Sequence, residues 1–321
     1  GSETADGVRW FDDIDPVRQH YYSDTTLVET EYDAGAFTVH QYDLTLGRAH
    51  VSHVELRGEV PPDAKLTAFL TFAPEGRETQ VGRLIHDTDD GSVVEVFHRD
   101  EHDYVAASTG IDDVRGQVPE RFDEILGRTP VEFPRRVAHE RYEDRHLSGD
   151  VVVSAPLERN GRAATVTLVT QLSDHTETTR ERAIADVRHA VTTHSTPAAL
   201  RDIAREQVAV DAPDDTPRVN SVTADLRALA LLRAPSGARI AGPEHDPFYV
   251  GSGGYGYTWF RDDSEIASYL LDASERLGLD VGDELVDSAR FYVDTQLADG
   301  SWSHRAWAVD GSIAPGWAHG R

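Results

Sequence analysis

Apolar and polar positions often alternate with a period of two in short stretches of the first 175 residues. The stretches "TTLVETEY", "AFTVHQYDL", "AHVSHVELRG", "KLTAFLTF", "SVVEVFHRD" and "GDVVVSAPL" are short and rich in β-branched or aromatic residues. Turn signals such as "PPDAK", "DDGS" and "RNGR" separate them. "RNGR" followed by "AATVTLVTQL" predicts a β-hairpin with a tight Asn-Gly turn. Many short strands without intervening helices predict an antiparallel β-sandwich over residues 1–175.

The period changes at "SDHTETTRERAIADVRHAV", where Ile184, Val187 and Val191 recur at helical spacing and Ser173, Asp174 and Thr176 offer N-caps. A second helix is expected from Ser195, with Pro197 in its first turn and Leu200, Ile203 and Ala204 on one face. The run "DAPDDTP" at 211–217 is the clearest linker, so residues 176–217 are expected to form a helical linker. Residues 218–321 are helix and loop. "SVTADLRALALL", "SEIASYLLDASERL" and "DELVDSARFYVDTQL" predict three helices, the second with Ile266, Tyr269, Leu270, Ala273 and Leu277 on one stripe and Gly278 as its stop.

Composition narrows the setting. The chain of 321 residues carries a formal net charge of −26, and Lys65 is its only lysine. An acidic excess with arginine in place of lysine suits a protein working in multimolar salt, where carboxylates hold hydration and salt screens their repulsion. The bland alternative is an ordinary acidic protein. The same charge excludes the basic stripe that nucleic-acid binding needs and disfavours anionic membrane surfaces. No run approaches the roughly 18 apolar residues of a membrane span. The start, "GSETADGVRW", has neither the basic nor the apolar part of a signal peptide, so a cytoplasmic, high-salt location is the expectation. The absence of cysteine rules out disulfides and thiolate metal sites.

The stretch "GSGGYGYTWFRDD" at 251–263 admits two kinds of chemistry. Gly251, Gly253 and Gly256 spell G-x-G-x-x-G, a dinucleotide fingerprint that requires a preceding strand and a βαβ unit. "GPEHDPFYV" precedes it instead, and no strand–helix alternation follows. The second half sets Tyr257 and Trp259 beside Arg261 and Asp262. Loop aromatics offer apolar faces to the C–H side of a pyranose, and an arginine fork beside a carboxylate suits vicinal hydroxyls. Four of the five tryptophans, Trp259, Trp302, Trp307 and Trp317, cluster near this end. The bland alternatives are core aromatics and an Asp262 N-cap with Glu265 completing a capping box.

"SVTADLRALALLRAPSGARIAGPEHDP", "GGYGYTWFRDDSEIASYLLDASERLG" and "QLADGSWSHRAWAVDGS" together resemble the start of the catalytic domain of family 15 glycoside hydrolases, the glucoamylase, glucodextranase and trehalase-type enzymes of prokaryotes. The likeness covers about residues 218–317, and the N-terminal strands are similar to the β-sandwich of prokaryotic members. It implies an (α/α)6 toroid, of which this chain holds the first helices. It further implies an exo-acting, inverting hydrolase that releases glucose from non-reducing ends of α-glucans or oligosaccharides without a cofactor. Carried over residue by residue, Arg261 and Asp262 would hold the terminal glucose, Tyr257 and Trp259 would line that subsite, and Trp302 would neighbour it. Asp263 departs from the family, which usually has a small apolar residue there.

By the same resemblance the general acid and base are expected beyond Arg321, so the chain alone is expected not to hydrolyse glucosides. Glu265 and Glu275 are expected at helix surfaces, and Glu284 at a helix start. The alternative is a carbohydrate-binding remnant without catalysis. The scissile linkage and the oligomeric state stay open. His98 and His102 have i, i+4 spacing, but "HRDEH" predicts a strand end and turn with surface histidines, and no metal site is expected. The acidic run "DTDDG" is expected to be a turn.

Overall fold

In a strand, successive side chains face opposite ways, and in the central strands of this protein both faces are apolar. The structure, a computed structural model, describes residues 1–4, 7–14, 16–23, 25–72, 81–116, 125, 131, 149–207, 212–243 and 254–314. It divides into two units, Gly1–Glu206 and Gln207–Arg321.

The first unit is built on strands β1 (Ser2–Thr4), β2 (Gly7–Arg9), β3 (Pro16–Tyr21), β4 (Val28–Asp33), β5 (Phe37–Leu46), β6 (Ala49–Gly58) and β7 (Lys65–Thr71). It continues through β8 (Gly82–Thr88), β9 (Gly91–His98), β10 (Glu101–Ala107), β11 (Asp113–Arg115), β12 (Asp150–Pro156), β13 (Glu158–Asn160) and β14 (Ala163–Gln171). They form a five-stranded sheet in the order β11-β12-β7-β1-β2 and a nine-stranded sheet in the order β3-β4-β5-β6-β14-β10-β9-β8, with β13 pairing β14. Every pairing within these two sheets is antiparallel. The β-sandwich expectation holds. The hairpin at "RNGR" is present, with Asn160 opposite Ala163 and Gly161 at φ 64°. "DTDDG" is the turn between β8 and β9.

The two faces of the large sheet pack against different layers. Val94, Val96, Val105, Val166 and Leu56 meet Leu66, Val151 and Val153 of the smaller sheet. Their neighbours Val93, Tyr104, Ala106, Val51 and Leu44 face helices α1 (Arg180–Thr193) and α2 (Pro197–Glu206), which bury Ala183, Val187, Val191, Leu200 and Ala204 against them. The helices expected to serve as a linker therefore form a third layer of the first unit. Their apolar stripes find a ready surface on the sheet, and each such side chain contributes about 1.5–3 kcal/mol on burial. The N-cap of α1 is Thr179, whose hydroxyl accepts from the Arg182 N–H at 3.3 Å, rather than the earlier Ser173, Asp174 or Thr176.

A partly buried polar knot fastens the strands of the smaller sheet together. Glu3 accepts from Arg115 Nη2 at 2.7 Å, from Ser154 Oγ at 2.7 Å and from Thr67 Oγ1 at 2.8 Å, so one carboxylate joins β1, β7, β11 and β12. Burial alone pushes the Glu3 carboxyl up, but these hydrogen bonds outweigh it and hold it below the usual carboxylate range.

The second unit carries α3 (Val219–Leu231), α4 (Phe260–Leu277) and α5 (Gly282–Thr295), joined by the short strands β15 (Thr258–Trp259) and β16 (Arg305–Ala306). Gly278, at φ 68°, ends α4 in the left-handed conformation that glycine adopts without strain, as the sequence predicts. Among the described residues no helix is long and apolar enough to cross a membrane.

Leu200→Ala, at a fully buried position, lowers the unfolding free energy by about 2–5 kcal/mol in denaturant titrations; a loss below 1 kcal/mol would mean that α2 is not part of the core. Because Glu3 titrates lower folded than unfolded, its contribution is complete above pH 4.5, the ordinary glutamate value, and is lost as pH falls through the folded value. Glu3→Gln therefore flattens the acid limb of stability against pH, while an unchanged acid limb would show that the knot carries no such linkage.

Candidate functional site

The aromatic and charged run at 257–263 is set by a two-residue ribbon. Thr258 pairs with Ala306 and Trp259 with Arg305, which holds the backbone extended up to Trp259, the N-cap of α4. The helix thus begins at Phe260, four residues before the expected "SEIASYLL" start. Neither a loop Trp259 nor an Asp262 cap is found. Asp262 instead lies in the first helical turn, where the helix dipole favours an acid.

Tyr257 is buried, with its ring edge-on to Trp307 at 4.6 Å. Trp259 donates its indole N–H to the Gly254 carbonyl at 2.9 Å and meets His304 edge-on at 5.0 Å. The two rings are brought together by a residue that sequence reasoning passed over. The buried guanidinium of Arg305 lies 5.0 Å from the Tyr257 ring and 5.5 Å from that of Trp259. Such cation–π contacts are worth about 2 kcal/mol when desolvated. Trp302 is 43% exposed and donates to the Tyr292 carbonyl at 2.8 Å, so α5 anchors it.

Arg261 points to solvent, and its Nε stands 3.8 Å from Asp262 Oδ2. That oxygen is shielded from water and has no hydrogen-bond partner among the described residues. Gly251, Gly253 and Trp317 lie outside the described residues.

Asp263 belongs to a different system. Arg239, 1% exposed, donates from Nη1 to Asp263 Oδ1 at 3.3 Å and to Ser288 Oγ at 3.0 Å, and from Nη2 to Glu284. Tyr292 donates its hydroxyl to Asp263 Oδ2 at 2.8 Å. Burial pushes the Asp263 carboxyl up against the opposing pull of Tyr292 and Arg239, and burial together with Asp263 pushes the Tyr292 phenol up strongly. One cation thereby locks α4 to α5. Glu284 is consequently more than a dipole-matched acid, whereas Glu265 and Glu275 are exposed as expected. The small residues of "SGAR" have a physical reason here. Gly237, at φ 91°, approaches the backbone of Asp287 so closely that a Cβ would stand 2.4 Å from its carbonyl carbon, and Ser288 donates to the Gly237 carbonyl at 2.9 Å.

Among the described residues one set of side chains could hold a metal ion. Glu95, His102 and His175, in the first unit, present donor atoms within 4.8 Å of one another. His102 is buried, not the surface histidine expected from "HRDEH". Strand alternation turns it to the helix-covered face, opposite Phe97, while His98 pairs with Glu101. Burial alone pushes the Glu95 carboxyl up, but hydrogen bonds from His102, His86 and Arg180 outweigh it and hold the group below the usual carboxylate range.

A family model described as "Domain of unknown function (DUF7997)" matches residues 1–183. The chain belongs to that family. The DUF7997 match covers both sheets and the start of α1. A search of curated proteins returns no match. Among solved structures, a bacterial glucoamylase complexed with acarbose superposes with a TM-score of 0.67 at 11% identity, covering 94% of this chain. The chain spans 44% of that glucoamylase's length. The heparinase III BT4657 gene product is a more distant match, with a TM-score of 0.28 at 10% identity, over 51% of this chain and 22% of its own length. The fold resembles that of the glucoamylase: large antiparallel sheets followed by helices.

Replacing Arg239 by leucine leaves Asp263 and Glu284 without their cation and is expected to cost about 3–5 kcal/mol of stability in denaturant unfolding. A cost under 1 kcal/mol would show that the α4–α5 lock does not depend on this charge.

Proposed function

We propose that the chain is the sugar-gripping part of a glucoamylase-like, exo-acting and inverting glucoside hydrolase. The observation that carries this reading is Asp262 Oδ2, a shielded carboxylate oxygen with no hydrogen-bond partner among the described residues. It belongs to the first turn of α4, the helix whose N-cap is Trp259. An unfilled charged acceptor is what a sugar hydroxyl completes. The neighbouring Arg261 is exposed and free of the buried Arg239 lock, so its guanidinium can supply donors to an adjacent hydroxyl. Trp302 tethers to Tyr292, which in turn holds Asp263, so an exposed indole is linked to the same first turn of α4.

The fold likeness to a glucoamylase that binds acarbose supports a pocket that closes around the non-reducing end of an α-glucan or oligosaccharide. In inverting hydrolysis one carboxylic acid protonates the leaving oxygen and a carboxylate activates water on the opposite face. We assign neither role within residues 254–314: Glu265 and Glu275 face solvent, and Glu284 is committed to Arg239.

Calorimetric titration of acarbose into the chain in concentrated KCl tests the proposal. Asp262→Asn is expected to weaken binding about 10- to 100-fold, the loss of one charged hydrogen bond. Absence of saturable binding, or equal affinity in Asp262→Asn, would sink it.

A further inference from the structure

The first unit carries a cluster that the sugar chemistry does not use. His86 on β8, Glu95 on β9 and His102 and Tyr104 on β10 share the face of the large sheet that also bears Val93, by strand alternation and register. His175 follows β14, and its ring stacks on that of His102 with centroids 3.4 Å apart. Glu95, fully buried, has His86 Nε2 at 2.5 Å from Oε2 and His102 Nδ1 at 2.5 Å from Oε1. Arg180 Nε reaches the same carboxylate at 3.0 and 3.2 Å.

The hydrogen bonding of His102 makes this arrangement unusual. Its Nε2 lies 2.9 Å from the Arg99 carbonyl, which only accepts, so a hydrogen occupies Nε2. Nδ1 then faces Glu95 Oε1 at 2.5 Å, and the hydrogen bond between them holds the proton that a metal ion would replace. Two lone pairs at that separation repel unless a cation, either a proton or a metal ion, lies between them. A backbone carbonyl holding the far nitrogen of a histidine is also the usual outer support of a metal-ligating imidazole. Tyr104 gives His175 comparable support, its hydroxyl 2.9 Å from Nε2.

We propose that Glu95, His102 and His175 form a site for a divalent transition-metal ion of the zinc class in the β-sandwich unit. Two imidazoles and one carboxylate are a donor set that suits zinc, with a fourth position open to water or to His86. Zinc bonds of about 2.0–2.1 Å set neighbouring donors roughly 3.3 Å apart, so the Glu95–His102 contact opens slightly on binding. His175, half-buried in a turn, pivots from its stacked position to aim a nitrogen at the ion. Arg180, whose side chain is 40% exposed, swings toward solvent as the ion takes over its charge. The site joins β9, β10 and the segment leading into α1, so bound metal clamps the helical layer to the sheet.

The chain, stripped with EDTA and dialysed, is titrated with Co(II) and then with Zn(II) in competition. The expected result is a visible d–d band of a four-coordinate centre that saturates at about one equivalent, bleached by Zn(II), with a raised Tm. His175→Ala, at a half-buried turn position that tolerates truncation, weakens Zn(II) affinity at least about tenfold. Tyr104→Phe, which keeps the ring, weakens it about 10- to 100-fold through the lost support. No saturable Co(II) band overturns the proposal and leaves a proton between Glu95 and His102. Affinity unchanged in both variants also overturns it.

Discussion

The second unit depends on the buried guanidinium of Arg239. Arg239 has no water to solvate it, and its charge is met by Asp263 at the start of α4 and Glu284 at the start of α5. Removing a charge from water costs several kcal/mol, recovered only when the geometry is good and further hydrogen bonds are made. Ser288 and Tyr292 supply those further bonds. Because Asp263 is adjacent to Asp262, fixing the one orients the other. The structural arginine thus presets the turn that carries the candidate sugar contacts. Gly237 completes the arrangement, since only a residue without a Cβ lets the Arg239 segment approach α5.

In the first unit the governing constraint is burial of the large sheet on both faces. An antiparallel sheet usually leaves one face in water. Here helices α1 and α2 cover the second face, which is why β9 has Val93 and Glu95 on one side and Val94 and Val96 on the other, all buried. A polar group at such a position must be satisfied within the protein. Glu95 is satisfied by two histidines and an arginine, and the partly buried Glu3 by donors from three strands of the smaller sheet. In a chain with a net charge of −26, Glu95 and Asp263 are thus buried against cationic partners.

Much of this was legible in the sequence, and the exceptions share a cause. The strands at "AHVSHVELRG" and "GDVVVSAPL", the Asn-Gly hairpin, the helical stripes of α1 and α2 and the Gly278 stop follow from periodicity and turn chemistry alone. Strands β8 and β10 were hidden because "GRLIHDT" and "EHDYVAA" carry charged residues close to their ends. In an acidic chain those look like solvated turns until partner strands are known. The early start of α4 was hidden because β16, which fixes Trp259, lies more than forty residues further on. Arg239, Arg305 and His102 were missed for one reason: nothing local marks a charged side chain as buried. Burial of such a group is decided by its distant partners, Glu284 and Asp263 for Arg239, two aromatic rings for Arg305, and Glu95 for His102.

The central claim is that the start of α4, preset by the Arg239 lock, grips a sugar. A crystal structure of the chain grown with acarbose tests it most directly. The arrangement predicts a sugar ring within hydrogen-bond distance of Asp262 Oδ2, with Arg239 still bound to Asp263 and Glu284. Acarbose bound elsewhere, or Asp262 Oδ2 filled by a protein donor in the liganded crystal, would contradict it.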